Sequence, residues 1–251
     1  MRTLIYGVLC AGLMMPATLA RADDKAAGDL LEKAIQAYGG AEKAAKLTAI
    51  AAKGKTTISE GGMEVTFTFD VSLQGFDLMK MEAEVSIAGQ TMKTTMVLNG
   101  DKAWAVNPGT GKTEEAPKEV APLMRQVMTA LRSAGNPAGL KDKDIQLAHG
   151  GVGKIDVVDT EILRINRKDL TEITLVFDKK TGMPLKAETK IKEPNANEAS
   201  IEFAYSDFKE VNGVKHPHRV KILRDGKDIA ELELTEIKLD QKFDASTFEK
   251  P

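Results

Sequence analysis

Two short stretches of this 251-residue chain bring together residue types that can do chemistry. The first is Gly109-Thr110-Gly111-Lys112-Thr113, which looks like the end of a phosphate-binding loop. The full loop needs a glycine five residues before Gly111, and Val106 stands there. A phosphate site also needs helix amide groups behind the lysine. Glu114, Glu115, Ala116 and Pro117 follow instead, and the two acids repel an anion. The stretch therefore reads as a hairpin turn. The second is His216-Pro217-His218, with two imidazoles two residues apart. Zinc needs at least a third protein ligand, and the remaining histidine, His149, lies far off in a polar segment. Pro217 points instead to an edge strand. The Gly-x-Ser-x-Gly elbow is absent, and the carboxylates are spread as surface charge with no acid–base pair set apart. The expectation is a protein that is not an enzyme and holds no metal or cofactor.

What remains is apolar. Phe67, Phe69, Met79, Met81, Met92, Met96 and Trp104 fall on neighbouring strand patterns, and Met124, Met128 and Leu131 fall on a helical one. An ordinary core uses such residues. A curved sheet closed by one amphipathic helix also makes an apolar ligand cavity, and flexible methionines suit chains of variable shape.

The elements that must position these residues follow from periodicity. Ala27, Leu30, Leu31, Ala34, Ile35 and Tyr38 make one helical face, capped by Asp23 or Asp24 and ended by Gly39-Gly40. Val65, Phe67, Phe69, Val71 and Leu73 alternate with polar residues, as do Met79, Met81, Ala83, Val85 and Ile87 on the next strand. Residues 92–98 follow, then the Asn99-Gly100 turn and residues 102–106. Val120, Leu123, Met124, Val127, Met128 and Leu131 form the stripe of a helix that starts near Pro122 and stops at Gly135-Asn136-Pro137. Residues 138–153 are polar and glycine-bearing and read as a loop. Strands resume over residues 155–165, 172–177, 184–191, 199–211, 214–223 and 227–239, with turns at 178–182, Asn212-Gly213 and Asp225-Gly226. This predicts a mainly β fold: an incomplete, half-open antiparallel barrel of about ten strands with a helical lid.

The first residues read as a secretory leader. Arg2 precedes an apolar run, Pro16 ends it, and Ala20-Arg21-Ala22 gives the small-x-small cleavage pattern. Residues 1–22 are the expected signal peptide and residues 23–251 the mature domain. Cys10 lies inside the leader, so the mature chain has no cysteine, no disulfide and no lipid-attachment site. The whole chain has net charge −2, and loss of Arg2 and Arg21 with the leader lowers this by two, to −4. Such a mildly acidic surface is not built for nucleic acid or an anionic membrane. The expected localisation is the periplasm, as a monomer that does not span the membrane after cleavage.

Several stretches resemble the outer-membrane lipoprotein-sorting superfamily, the LolA/LolB-like proteins. They are Ala37-Tyr38-Gly39-Gly40 with Leu47; Thr174 through Asp178 and on through Gly182-Met183-Pro184-Leu185; Tyr205-Ser206-Asp207-Phe208 through Val214, then His216-Pro217-His218-Arg219-Val220; and the tail from Phe243 through Phe248 to Pro251. Each is largely turn chemistry, and their order along the chain makes the match. The resemblance implies an open barrel with a helical lid and a cavity for the acyl chains of lipoproteins or related lipids. It also implies inner- and outer-membrane transport partners and a chaperone-like carrier role. Arg125 and Arg132 lie on the lid helix, and no motif links either to lid closure. The alternative is a scaffold or interaction module whose barrel is filled by its own side chains.

Overall fold

The computed structural model describes residues 18–60, 63–87, 90–192 and 197–251, with side chains from residue 25 onward apart from Glu60, Met63 and Ile87. Most of the expected signal peptide, Cys10 included, lies outside the described residues. The first helix, α1 (Thr18–Ala37), begins before the expected cap at Asp23 or Asp24 and runs through Ala20-Arg21-Ala22. Neither glycine nor proline interrupts residues 18–27, and alanine and leucine favour helix there. Its predicted face is buried throughout, from Ala27 to Tyr38. Gly39 and Gly40, with φ of 111° and 95°, end it as only glycine readily does. A short α2 (Ala41–Ala45) follows.

Among the described residues, thirteen strands then form one antiparallel sheet in the order β6-β5-β4-β3-β2-β1-β13-β12-β11-β10-β9-β8-β7. In chain order they are β1 (Ala49–Glu60), β2 (Met63–Gln74), β3 (Leu78–Ile87), β4 (Gln90–Asn99), β5 (Lys102–Val106) and β6 (Thr113–Glu115). After helix α3 (Val120–Gly135) come β7 (Ile145–Ile155), β8 (Val158–Arg167), β9 (Ile173–Asp178) and β10 (Pro184–Lys192). The set closes with β11 (Glu198–Val211), β12 (Val214–Arg224) and β13 (Lys227–Lys238). Two meanders are joined where β1 pairs with β13. The outer strands β6 and β7 do not pair with each other, so the curved sheet stays open, as the sequence predicts.

Three strands exceed the expected ten. β1 has no strong alternation because the middle three of its inward residues are small: Ala52, Gly54 and Thr56, between Ile50 and Ile58. The space goes to a neighbour. A Cβ on Gly54 would sit 2.7 Å from the Phe69 ring and 2.4 Å from the Glu233 carbonyl oxygen. β6 is only a three-residue return from the Gly109–Thr113 turn, whose hairpin character is borne out by Asn107 Oδ1 accepting from Gly109 and Thr110. β7 corrects the expected loop over residues 138–153. Its glycines serve a bulge, with Gly151 at φ 98° where the register with β8 shifts. The expected strand over 155–165 is likewise divided by a turn, with Asp156 at φ 51°.

A second correction concerns Pro217. It lies in β12, an inner strand of the sheet, yet the ladder with β13 begins only at Arg219, so Pro217 itself has β11 alone beside it. Proline is tolerated because no β13 residue pairs with it, and the β11 ladder is irregular beside it: Ser206 pairs with Arg219 and Phe208 with Pro217, while Asp207 between them takes φ 52°.

Helices α1 and α3 lie on the concave face. α1 packs on β7 and β8; α3 packs chiefly on β10 and also reaches β9, β11, β4 and β5. The chain's end covers part of the other face. The 3-10 turn Ala245–Phe248 packs on β3 and β4, Phe243 and Phe248 meet edge to face at 5.5 Å, and Asn99 Nδ2 donates to the Phe248 carbonyl at 3.1 Å.

Candidate functional site: an apolar cavity under the lid helix

The register decides which predicted residues meet. Val71 opposes Met81 and Leu73 opposes Met79 across β2 and β3, so these four share a face with Phe69. Phe69 opposes Gly54 on β1, which in turn opposes Leu234 on β13. α3 lays Met128, Leu131 and Arg132 against this set. A cavity of about 140 Å³ remains between helix and sheet. Its wall is apolar except for Thr56, Arg132, Tyr205 and His216.

Five of the ten predicted ligand residues line this cavity: Phe69, Met79, Met81, Met128 and Leu131. Phe67 and Met92 share the concave face but lie farther along it, where Phe67 opposes Val85 and Val85 opposes Met92. There the face is uncovered, with Met92 42% and Ile58 37% exposed. Met96 and Met124 pack against the core without lining the cavity. Trp104 is on the wrong face. It pairs with Val97, whereas the inward residues of these two strands are Leu98 and Ala103. The alternation in Lys102–Val106 is too short to reveal which parity faces inward, since Ala103, Trp104, Ala105 and Val106 are all apolar.

Side chains from several elements hold the lid helix. The Tyr205 hydroxyl on β11 donates to the carbonyls of Ala130 and Leu131 at 3.1 Å each, and the Tyr38 hydroxyl at the end of α1 donates to that of Ala134. Burial raises the pKa of both phenols, so they stay neutral donors. Gln126 Nε2 donates to Thr189 Oγ1 at 2.6 Å and the Thr171 carbonyl at 2.9 Å, and Thr171 N returns a bond to Gln126 Oε1 at 2.8 Å. Arg125 binds Asp77 and Asp101, in the turns after β2 and β4, at 3.1 and 3.0 Å. Arg167, at the end of β8, also binds Asp77. Burial alone would raise the Asp77 carboxyl; its bonds to Arg167 and Arg125 outweigh that and hold it below the ordinary value. Asp77 thus ties the lid, the first meander and β8 of the second meander into one cluster.

Sequence reasoning missed two residues at the polar end. Arg132 is only 5% exposed. Its Nη1 donates to the Gly75 carbonyl, and its Nη2 donates to those of Leu47 at 3.0 Å and Thr48 at 3.4 Å. Burial pushes its pKa down to about 10, so it remains a cation at neutral pH. His216 is 6% exposed and its Nδ1 lies 2.7 Å from the Pro217 carbonyl oxygen. Burial first, then the charges of His218 and Arg132, lower its pKa to about 4 against that hydrogen bond. It is therefore neutral at pH 7. No group of three or more metal-ligating side chains is present among the described residues.

No family model and no curated relative matches the sequence. Solved structures do. An outer membrane lipoprotein-sorting protein domain from Vibrio parahaemolyticus is 12% identical, with a TM-score of 0.57, over 90% of this chain and 97% of that one. A LolA superfamily protein from Nitrosomonas europaea is 15% identical, with a TM-score of 0.58, over 89% and 97%. A DUF1329 family protein from Desulfovibrio piger is 14% identical, with a TM-score of 0.58, over 90% and 97%. The chain has the LolA-like open-barrel fold, as the sequence resemblance implies.

Proposed function

We propose that the protein is a periplasmic carrier that takes acyl chains of lipoproteins or related lipids between the curved sheet and α3. The observation that carries this reading is the apolar cavity under α3, which adjoins an uncovered apolar face. The cavity of about 140 Å³ is below the roughly 300 Å³ at which ligand pockets begin. An engineered apolar void of about 150 Å³ in another protein admits benzene. A long chain therefore needs the lid to shift, or needs to run on past Phe69 along Phe67, Val65 and Met92. Each methylene buried contributes about 0.8 kcal/mol. Breaking the polar bonds that seat α3 offsets part of that gain and makes release feasible. The leader at residues 1–22 supports export, and the acyl chain is the partner that a non-enzymatic carrier requires.

The part of the barrel beneath α1 favours the alternative, a filled scaffold, because Leu163, Ile165, Leu175 and Phe177 are packed to 0–1% exposure there. The two readings separate on Met128→Asp. A carboxylate in the cavity wall abolishes displacement of a fluorescent acyl probe, while the circular dichroism spectrum and cooperative unfolding persist. Unchanged probe binding in the folded variant contradicts the carrier reading.

A further inference from the structure

The cavity has two unlike ends. Most of its wall is hydrocarbon, but Arg132 presents a guanidinium, and His216 stands beside the same end of α3, its Nε2 3.2 Å from where a Cβ on Gly135 would lie. Arg132 is a full positive charge in a buried, apolar surround, and among the described residues no carboxylate pairs with it. By contrast, Arg125 and Arg167 on neighbouring elements do meet acids. The carbonyls of Leu47, Thr48 and Gly75 supply partial charges to Nη1 and Nη2 only, and Nε has no acceptor among the described residues. A buried ion without a counter-charge is costly, and proteins rarely keep one unless something neutralises it. His216 does not supply a negative charge, and it adds no second positive one at neutral pH. Its Nδ1–H is taken by the Pro217 carbonyl, so its Nε2 is an acceptor and the ring gives a carboxylate no hydrogen bond.

We propose that the cavity binds an acyl chain ending in a free carboxylate, head inward, with the carboxylate against Arg132 and the tail running past Phe69 toward Phe67 and Met92. This rests on the carrier reading and narrows it from acyl chains in general to fatty acids. The head must be small. A carboxylate is a three-atom group that a cavity of about 140 Å³ accommodates together with the first methylenes, while a glycerophosphate head fills it. The charge explains why a guanidinium sits in a hydrophobic wall. The open outer face explains how a chain longer than the cavity is accommodated.

The test is isothermal titration of the purified protein at pH 7.4 with palmitate, hexadecanol and 1-palmitoyl lysophosphatidate, each below its aggregation threshold. Palmitate is expected to bind about ten- to a hundredfold more tightly than hexadecanol, the range conferred by a charge-assisted hydrogen bond. Arg132→Gln should bring the two affinities together, read as their ratio within the variant. If that variant does not fold, the discrimination within the unaltered protein still decides. Equal affinity for palmitate and hexadecanol overturns the head-inward carboxylate and leaves the carrier reading standing. Preference for the lysophosphatidate overturns the carboxylate in favour of a phosphate head. Binding of none of the three overturns both.

Discussion

Acid should weaken this fold through one histidine. His216 is buried and neutral, with its pKa lowered from 6.5 to about 4 in the folded chain. In the unfolded chain it takes up a proton near the ordinary value. Below pH 6.5 the unfolded state therefore binds more protons, and stability falls with pH until the folded pKa is passed. The gap between 6.5 and about 4 corresponds to a loss of about 3 kcal/mol. That contribution is fully present above pH 6.5 and gone below about pH 4. The assay is urea unfolding at half-unit pH steps, followed by fluorescence of Trp104, the chain's single tryptophan. His216→Gln removes the titration and should flatten the curve over this window, whatever it costs at pH 7. His149→Gln serves as the control. If His216→Gln keeps the full wild-type slope between pH 6.5 and 4, the histidine is not buried neutral beside Arg132, and the description of the cavity's polar end is wrong.

Other outcomes follow from the same contacts. Asp77→Asn leaves Arg125 and Arg167 without their shared carboxylate and should cost about 2–3 kcal/mol by urea unfolding at pH 7, since each charge-assisted bond contributes about 1.5–3 kcal/mol. The wild type should lose the same contribution only in stronger acid, as pH falls below the ordinary carboxylate range through the lowered Asp77 pKa. In stopped-flow mixing, Asp77→Asn should also take up an acyl probe faster, because the lid is less firmly seated. Gly54→Ala places a Cβ 2.4 Å from the Glu233 carbonyl oxygen, which cannot move aside as a side-chain tip can, and should destabilise the fold by about 1–3 kcal/mol or more. Trp104→Phe should leave acyl-probe affinity unchanged, because its side chain is on the face away from the cavity.

Legibility in the sequence varied with how local the determining pattern was. β2 and β3 alternate strictly, so Phe69, Met79 and Met81 could be placed together before any coordinates were known. The α3 stripe was as clear, and it put Met128 and Leu131 on the sheet. β1 was illegible because its middle inward residues had to be small to admit Phe69, which removes the apolar signal that marks a strand. β7 was hidden by glycines that serve its bulge. Arg132 carried no sign of its burial, since its partners are carbonyls of residues 47, 48 and 75, contributed by segments distant in the chain. His216 did stand out, but the proline beside it suggested an edge strand. β12 is an inner strand whose pairing with β13 begins only at Arg219, and no periodicity announces where a ladder stops.

The central claim, an acyl chain held between sheet and lid, meets its most direct test in what the purified protein carries. Organic extracts of the mature protein are analysed by mass spectrometry beside the native mass of the intact protein. The account predicts an acyl-bearing molecule near one per chain, seen as a matching native adduct, or uptake of one equivalent of a fluorescent fatty acid by protein stripped of lipid. A protein that is clean on extraction and takes up no probe contradicts it.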